Sequence, residues 1–177
     1  MSTHAYRSFY RNRWEAQHAM SAKESAAGVR IAVENPDQPE ILELLRDGEE
    51  YGAGLYPAES NHFLLPAALR APGVYFHVAR NGDGRALGTG ALVVHDGWAE
   101  IKRMWVVPDA RGRGVARAML HALEAAAAAA GIRLLRLETG VHNDAALVLY
   151  ERAGFRPCGP FGDYAPDPLS VFLEKPL

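Results

Sequence analysis

Cysteine is nearly absent: Cys158 is the only one in the 177 residues, which excludes an intramolecular disulfide or a thiolate-rich metal site and suits a reducing, cytoplasmic setting. Long apolar runs are missing too. No stretch approaches the roughly 20 residues needed to cross a bilayer, and the most monotonous run, Ala125 to Ala130, has charged or polar neighbours, so no membrane partner is expected. Charge of one sign is also lacking. With 19 Lys and Arg against 21 Asp and Glu, the formal net charge is −2, so no global positive field recruits nucleic acid, and any anion site must be local. His, Asp and Glu form no cluster with metal spacing, and no metal is expected.

What is present is a hydrophobic fraction of 49%, enough for one compact domain with a full core. Residues 1–28 read differently from the rest. Arg7, Arg11 and Arg13 interleave with Tyr6, Phe9, Tyr10 and Trp14, and the only acids are Glu15 and Glu24. Without a continuous apolar segment this is no secretory signal; it is expected to be an N-terminal extension, a tail or packing arm, ahead of a domain spanning residues 29–177.

Along that domain, Val29 to Glu34 alternates as a strand and ends in the turn Asn35-Pro36. Asp37 then caps a helix, with Glu40 completing a capping box and Ile41, Leu44 and Leu45 on the buried face. Gly48 to Pro72, broken by Gly52, Gly54, Pro57 and Pro66, reads as irregular surface. Val74 to Arg80 and Ala86 to His95 form a hairpin around Asn81-Gly82-Asp83-Gly84, and Asp96-Gly97 turns the chain into a third strand, Trp98 to Val107. A long helix follows from about Gly114 to Ala130, with Ala116, Leu120, Leu123 and Ala127 on one face; its alanine run is strong helix former, and Gly131 stops it. Arg133 to Glu138 is a strand, Asn143 to Ala153 a helix, and Leu169 to Glu174 a last strand. The fold class is α/β, a mixed sheet flanked by helices.

The most informative segment is Arg111-Gly112-Arg113-Gly114-Val115-Ala116. A helix N-terminus carries unpaired N–H groups and about half a positive charge, so Arg111, Arg113 and Arg117 crowded around it are unfavourable unless an anion arrives. Gly112 and Gly114 remove the Cβ atoms that would hold a diphosphate away from the backbone. There is no Gly-Lys-Ser/Thr, and Arg117 occupies the third glycine position of a dinucleotide fingerprint. Gly88-Thr89-Gly90 lies inside a strand and reads as close packing or a bulge.

The stretch Val106 to Ala116 resembles the acetyl-CoA motif of the GNAT superfamily, Arg/Gln-x-x-Gly-x-Gly/Ala. Asn143-x-x-Ala146-x-x-x-Tyr150-x-x-x-Gly154-Phe155 is similar to the same superfamily's second cofactor segment, in the expected order. The resemblance covers roughly residues 29 to 175. It implies a centrally splayed sheet, backbone groups of Val106 and Val107 free for the pantetheine arm, and a pyrophosphate on the glycine loop from Arg111 to Ala116. It implies too an Asn143 contact near the pantetheine or acetyl end, although Asn143 also fits a plain helix N-cap. The implied activity is acetyl transfer from acetyl-CoA to a small-molecule or peptide amine, by direct attack without a covalent enzyme intermediate. A catalytically inactive acyl-CoA-binding module is the alternative, and monomer and homodimer both remain open.

Such a reaction needs a neutral amine. An alkylamine near pKa 10.4 is neutral in only about one molecule in a few thousand at pH 7, a handicap of roughly 4–5 kcal/mol. Glu100 is similar in placement to the glutamate some superfamily members use for that proton, and it is equally a strand glutamate paired with Lys102 or Arg103. Tyr150, two helical turns after Asn143, matches the superfamily's donor to the departing thiolate, or packs against Phe155. For the acceptor pocket, Tyr51, Tyr56, Glu59 and Tyr164, with Glu49, Glu50 and His62, offer acids and aromatics suited to a cationic amine, though these are also ordinary loop residues.

Overall fold

The computed structural model describes residues 28–60 and 62–177, apart from the Glu59 side chain; the rest of the expected N-terminal extension lies outside the described residues. Strand β1 (Arg30–Val33) leads into helix α1 (Pro39–Leu55), then β2 (Val74–Arg80), β3 (Ala86–Val94) and β4 (Ala99–Val106). After these come α2 (Val115–Ala129), β5 (Leu134–Gly140), α3 (Asp144–Arg152), a two-residue strand β6 (Arg156–Pro157) and β7 (Ser170–Pro176). All seven strands join one sheet in the order β1-β2-β3-β4-β5-β7-β6. The hairpins make β1 to β4 an antiparallel meander, and α2 is the crossover that brings β5 in parallel to β4. The short β6 was not legible beforehand; it caps the edge by pairing with β7.

Helix α1 departs from expectation at both ends. Its N-cap position is Gln38, with no side-chain cap, and Pro39 opens it; the Asp37 carboxylate is drawn instead to Arg70, 2.7 Å away. Glu40 makes no capping box because Arg80 claims it at 2.7 Å. The helix then runs through Gly48, Gly52 and Gly54 to Leu55, where irregular surface was expected. Burial of Ile41, Leu44, Leu45 and Gly52 against the sheet outweighs the roughly 1 kcal/mol per residue that glycine costs a helix. Short 3-10 turns at Ala58–Ser60 and Pro66–Arg70 account for the remainder.

The core lies on both faces of the sheet: Leu92, Leu120, Leu123, Leu135 and Leu137 are almost fully buried, each contributing roughly 1.5–3 kcal/mol. Ala126 and Ala127 of the alanine run join it, whereas Ala116 does not, since it turns to the cleft described below.

Two irregularities position that cleft. Opposite Gly90, β4 carries an extra residue: Thr89 pairs with Trp105 but Ala91 pairs with Lys102, and Arg103 adopts φ 57°, the left-handed region. Beyond the bulge the sheet opens. β4 and β5 pair only through Ala99–Leu135 and Glu100–Arg136, so their remaining lengths splay apart, as the resemblance implied.

Candidate functional site

The splay opens a cleft of about 960 Å³, roofed by α1 and the segment after it and floored by the starts of α2 and α3. At one end stands the glycine loop. Gly112 (φ 73°) and Gly114 (φ 82°) both lie where L side chains are strained, and a Cβ on Gly112 would meet open space, so backbone conformation and not crowding demands glycine there. The first hydrogen bond of α2 runs from the Ala118 N–H to the Gly114 carbonyl. The six successive amides of residues 112–117 donate to nothing among the described residues. Arg113 and Arg117 have no carboxylate partner among those residues either. Free amides, a helix dipole and unpaired guanidinium groups make one concentrated anion site.

Arg111 folds back over the cleft. Its Nε donates to the Val106 carbonyl at 3.1 Å, and its guanidinium lies 4.7 Å from the Trp105 ring and 5.4 Å from that of Tyr51. Antiparallel alternation aims the Val106 backbone groups away from β3 and into the splay. Val107 differs from expectation: its N–H donates to Leu87 and its carbonyl accepts from Ala110, because the chain turns into a 3-10 segment (Pro108–Ala110) there. Val106 alone of the pair keeps backbone groups on the open side. Asn143 holds the N-cap position of α3, yet its side chain makes no capping bond, and it lines the cleft.

Glu100 is buried and does not line the cleft. One oxygen accepts from the Tyr164 hydroxyl at 2.6 Å and the Lys102 ammonium at 3.0 Å, while Lys102 also donates to Tyr164 at 2.5 Å. Burial alone would raise the Glu100 carboxyl, but His95, Lys102 and Tyr164 outweigh it and hold it below its ordinary value. His95 Nε2 stands 3.9 Å off, beyond hydrogen-bond reach, so Lys102 and Tyr164 are the closer partners. Tyr164, pushed up by burial and by Glu100, stays a protonated phenol.

The carboxylate that does line the cleft is Glu138, two residues along β5 from Arg136, the partner of Glu100. Burial pushes its carboxyl above the ordinary value, against a 2.7 Å hydrogen bond from the Ser170 hydroxyl. Sequence reading missed it; the signal was an acid directly after Leu134-Leu135-Arg136-Leu137, in a strand with neighbours on both sides. Tyr150 is buried and packs edge-on against Phe155 at 5.6 Å, and it also lines the cleft. Burial, then Glu138, raises its phenol, which remains a donor.

Of the residues expected around an acceptor, Tyr51, Tyr56 and His62 line the cleft, and Tyr164 stands edge-on to His62 at 5.2 Å. Tyr56 is also a buttress: its hydroxyl accepts from the His142 N–H at 2.8 Å, and its ring lies where a Cβ on Gly140 would be, at 2.1 Å. The side chain of Glu59 falls outside the described residues. Glu49 binds Arg103 rather than standing free. Among the described residues no group of His, Cys, Asp and Glu is placed to hold a metal, and no helix is long and apolar enough to cross a membrane.

With this geometry in view, the comparisons with known proteins agree. The family model described as "Acetyltransferase (GNAT) family" matches residues 38–155. The chain is 46% identical over 151 residues to the IAA acetyltransferase of Azospirillum brasilense, covering 84% of this chain and 98% of that one. It is 35% identical over 152 residues to the uncharacterized N-acetyltransferase YsnE of Bacillus subtilis, covering 84% and 100%. A solved structure from Klebsiella pneumoniae, named for acyl-CoA N-acyltransferase activity, superposes with a TM-score of 0.73 at 36% identity, over 85% and 99% of the two chains.

Proposed function

This chain belongs to the GNAT acetyltransferase family and is an acyltransferase, and on that premise we propose that it moves the acetyl group of acetyl-CoA to a primary amine by direct attack. The observation that carries the reading is the run of six unpartnered amides, residues 112–117, beside Arg111, Arg113 and Arg117 at the mouth of a splayed sheet. A diphosphate, with several anionic oxygens, suits a site with that many donors.

In this reading the loop and its arginines hold the pyrophosphate, and Val106 pairs with the pantetheine arm once Arg111 turns from its carbonyl to the phosphates. Val107 contributes through its position, its backbone groups being engaged elsewhere. The uncapping side chain of Asn143 is left for the pantetheine or acetyl end. Tyr150, a phenol held protonated by burial, donates a hydrogen bond to the departing thiolate.

The amine's proton goes to Glu138. It faces the cleft, and a carboxyl raised by burial is a better proton acceptor than one held low. Even so a carboxylate lies several units below an alkylammonium, so the transfer runs through water or from the more acidic adduct that follows attack. Glu100 acts behind it, fixing Lys102 and Tyr164.

The test is thiol release from acetyl-CoA over a panel of amines, with mass detection of the product and thermal stabilisation by acetyl-CoA measured in parallel. Turnover together with stabilisation is expected. Stabilisation without turnover of any amine would make the protein a binding module instead, the reading disfavoured by the presence of Tyr150 and Glu138 on the cleft.

A further inference from the structure

Among the described residues, three buried side-chain nitrogens have no hydrogen-bond partner: His95 Nε2, Arg103 Nε and Trp105 Nε1. The first faces Glu100 at 3.9 Å. The other two belong to Arg103 and Trp105, residues on the cleft lining, and Glu49 meets only Nη2 of the arginine. A buried donor without an acceptor costs about 1–3 kcal/mol, and native structures rarely keep such a group without a use for it.

Arg103 is the more telling of the two. Its side chain is 4% exposed, and its backbone is the one non-glycine residue of positive φ among the described residues, at the point where the bulge inserts an extra residue into β4. The bulge aims it at α1, where Glu49 takes one amino group, Nη2, at 2.5 Å. The Phe63 ring lies 5.5 Å from the guanidinium. Glu49 therefore fixes the fork by one tine and leaves the Nε edge unused. Strain and an unmet donor on one residue are the marks of a group kept for a ligand.

The charge of the surroundings limits what that ligand is. Lys102 and Arg103 on the cleft lining are each paired with an acid outside it, Glu100 and Glu49, and among the described residues Glu138 is the only carboxylate on the lining itself. A polycation finds a single acid there, Glu138, beside two cations whose acids are already engaged. An amine that carries its own carboxylate meets an acceptor-seeking arginine and, across the splay, an acid for its amino group.

We propose that the α1 side of the cleft is a carboxylate-recognition subsite, in which Arg103 Nε, seconded by Trp105 Nε1, selects amino-acid-like acceptors whose amine is presented to Glu138. This replaces the expectation of a cationic acceptor held by loop acids: Glu49 is already engaged with Arg103, and Tyr56 braces Gly140 and His142. The proposal rests on the acetyltransferase reading for its chemistry, but its recognition half stands on its own.

The experiment pairs each amino acid of a panel with its methyl ester and with the amine lacking the carboxylate. kcat/KM is measured for all three, and binding to the protein in the presence of coenzyme A is measured by calorimetry. For wild type the acid is expected to exceed both analogues by about 100-fold or more, a discrimination of the size that an unmatched buried polar group gives. Arg103→Gln should collapse the preference to within about 3-fold, through KM and not kcat, and Arg103→Lys should restore part of it. Trp105→Phe, which keeps the ring and removes only the donor, should lose about 5-fold and guards against a folding defect in the arginine variants. Esters and plain amines used as well as acids would overturn the subsite and leave the enzyme reading intact. Arg103-dependent binding of acids without acetylation of any amine would uphold the subsite and remove the enzyme reading.

Discussion

Arg80 and Arg103 are both buried, on strands of one sheet, and are treated in opposite ways. Arg80 Nε reaches Glu34 at 2.9 Å, Nη1 reaches Glu40 and the Gly84 carbonyl at 2.7 Å each, and Nη2 reaches Gln38 at 3.0 Å. It ties β1, the start of α1 and the β2–β3 turn into one unit, with every nitrogen used. Arg103 has one bond, a strained backbone and an idle Nε. On the closed half Arg80 is satisfied internally, while on the splayed half Arg103 and Trp105 each keep a buried donor unmet. The same contrast separates the exposed Arg85–Asp109 pair, complete at 2.7 Å, from Arg113 and Arg117 a few residues on. On the proposed reading, the unmet donors of Arg103 and the glycine loop serve a ligand, and the met ones of Arg80 serve the fold alone.

The sharpest way to break this comparison is Arg80→Ala. Leaving Glu34 buried without its partner should cost about 3–5 kcal/mol in urea denaturation, with the affinity of the folded fraction for acetyl-CoA unchanged. A loss of affinity instead would mean that the closed half also serves the ligand. Next in size is Arg113→Ala combined with Arg117→Ala. It should weaken acetyl-CoA about 30-fold, roughly 1 kcal/mol for each exposed arginine, while thermal stability holds or rises because two cations leave a helix N-terminus. A fall in stability would contradict the idea that these groups wait for a ligand.

The smallest effect belongs to Glu100→Gln. The carboxyl is held low in the folded protein, so its network stabilises fully above the ordinary carboxylate range and loses that contribution as pH falls through the folded value. The gap between wild type and variant should be about 1 kcal/mol at neutral pH and close in acid. A gap independent of pH would make the contacts of the Glu100 carboxylate irrelevant to stability.

Much of the fold was legible because its signals are local. Turn pairs such as Asn81-Gly82 and Asp96-Gly97 set the meander, and the Arg-Gly-Arg-Gly run declared a helix mouth built for an anion before any strand order was known. Residues whose meaning comes from partners far along the chain were not legible. Glu138 lines the cleft only because β4 and β5 part after two pairs, and Arg103 is aimed only by an extra residue in β4 that no turn residue announces. Tyr56 was visible as an aromatic in a loop, but its role as a brace depends on Gly140, 84 positions on in the chain. Helix α1 was cut short because glycine propensity is local and the burial that overrides it is not.

The resting place of Arg111 has a kinetic consequence. By lying on Trp105 and Tyr51 it covers an aromatic wall of the cleft, and in the proposed function the same arginine turns to a diphosphate arriving at the loop. One side chain thus gates two compartments. On the proposed reading, donor-first, ordered addition is the expected outcome, with the second substrate gaining its full welcome only after the first has drawn the guard away.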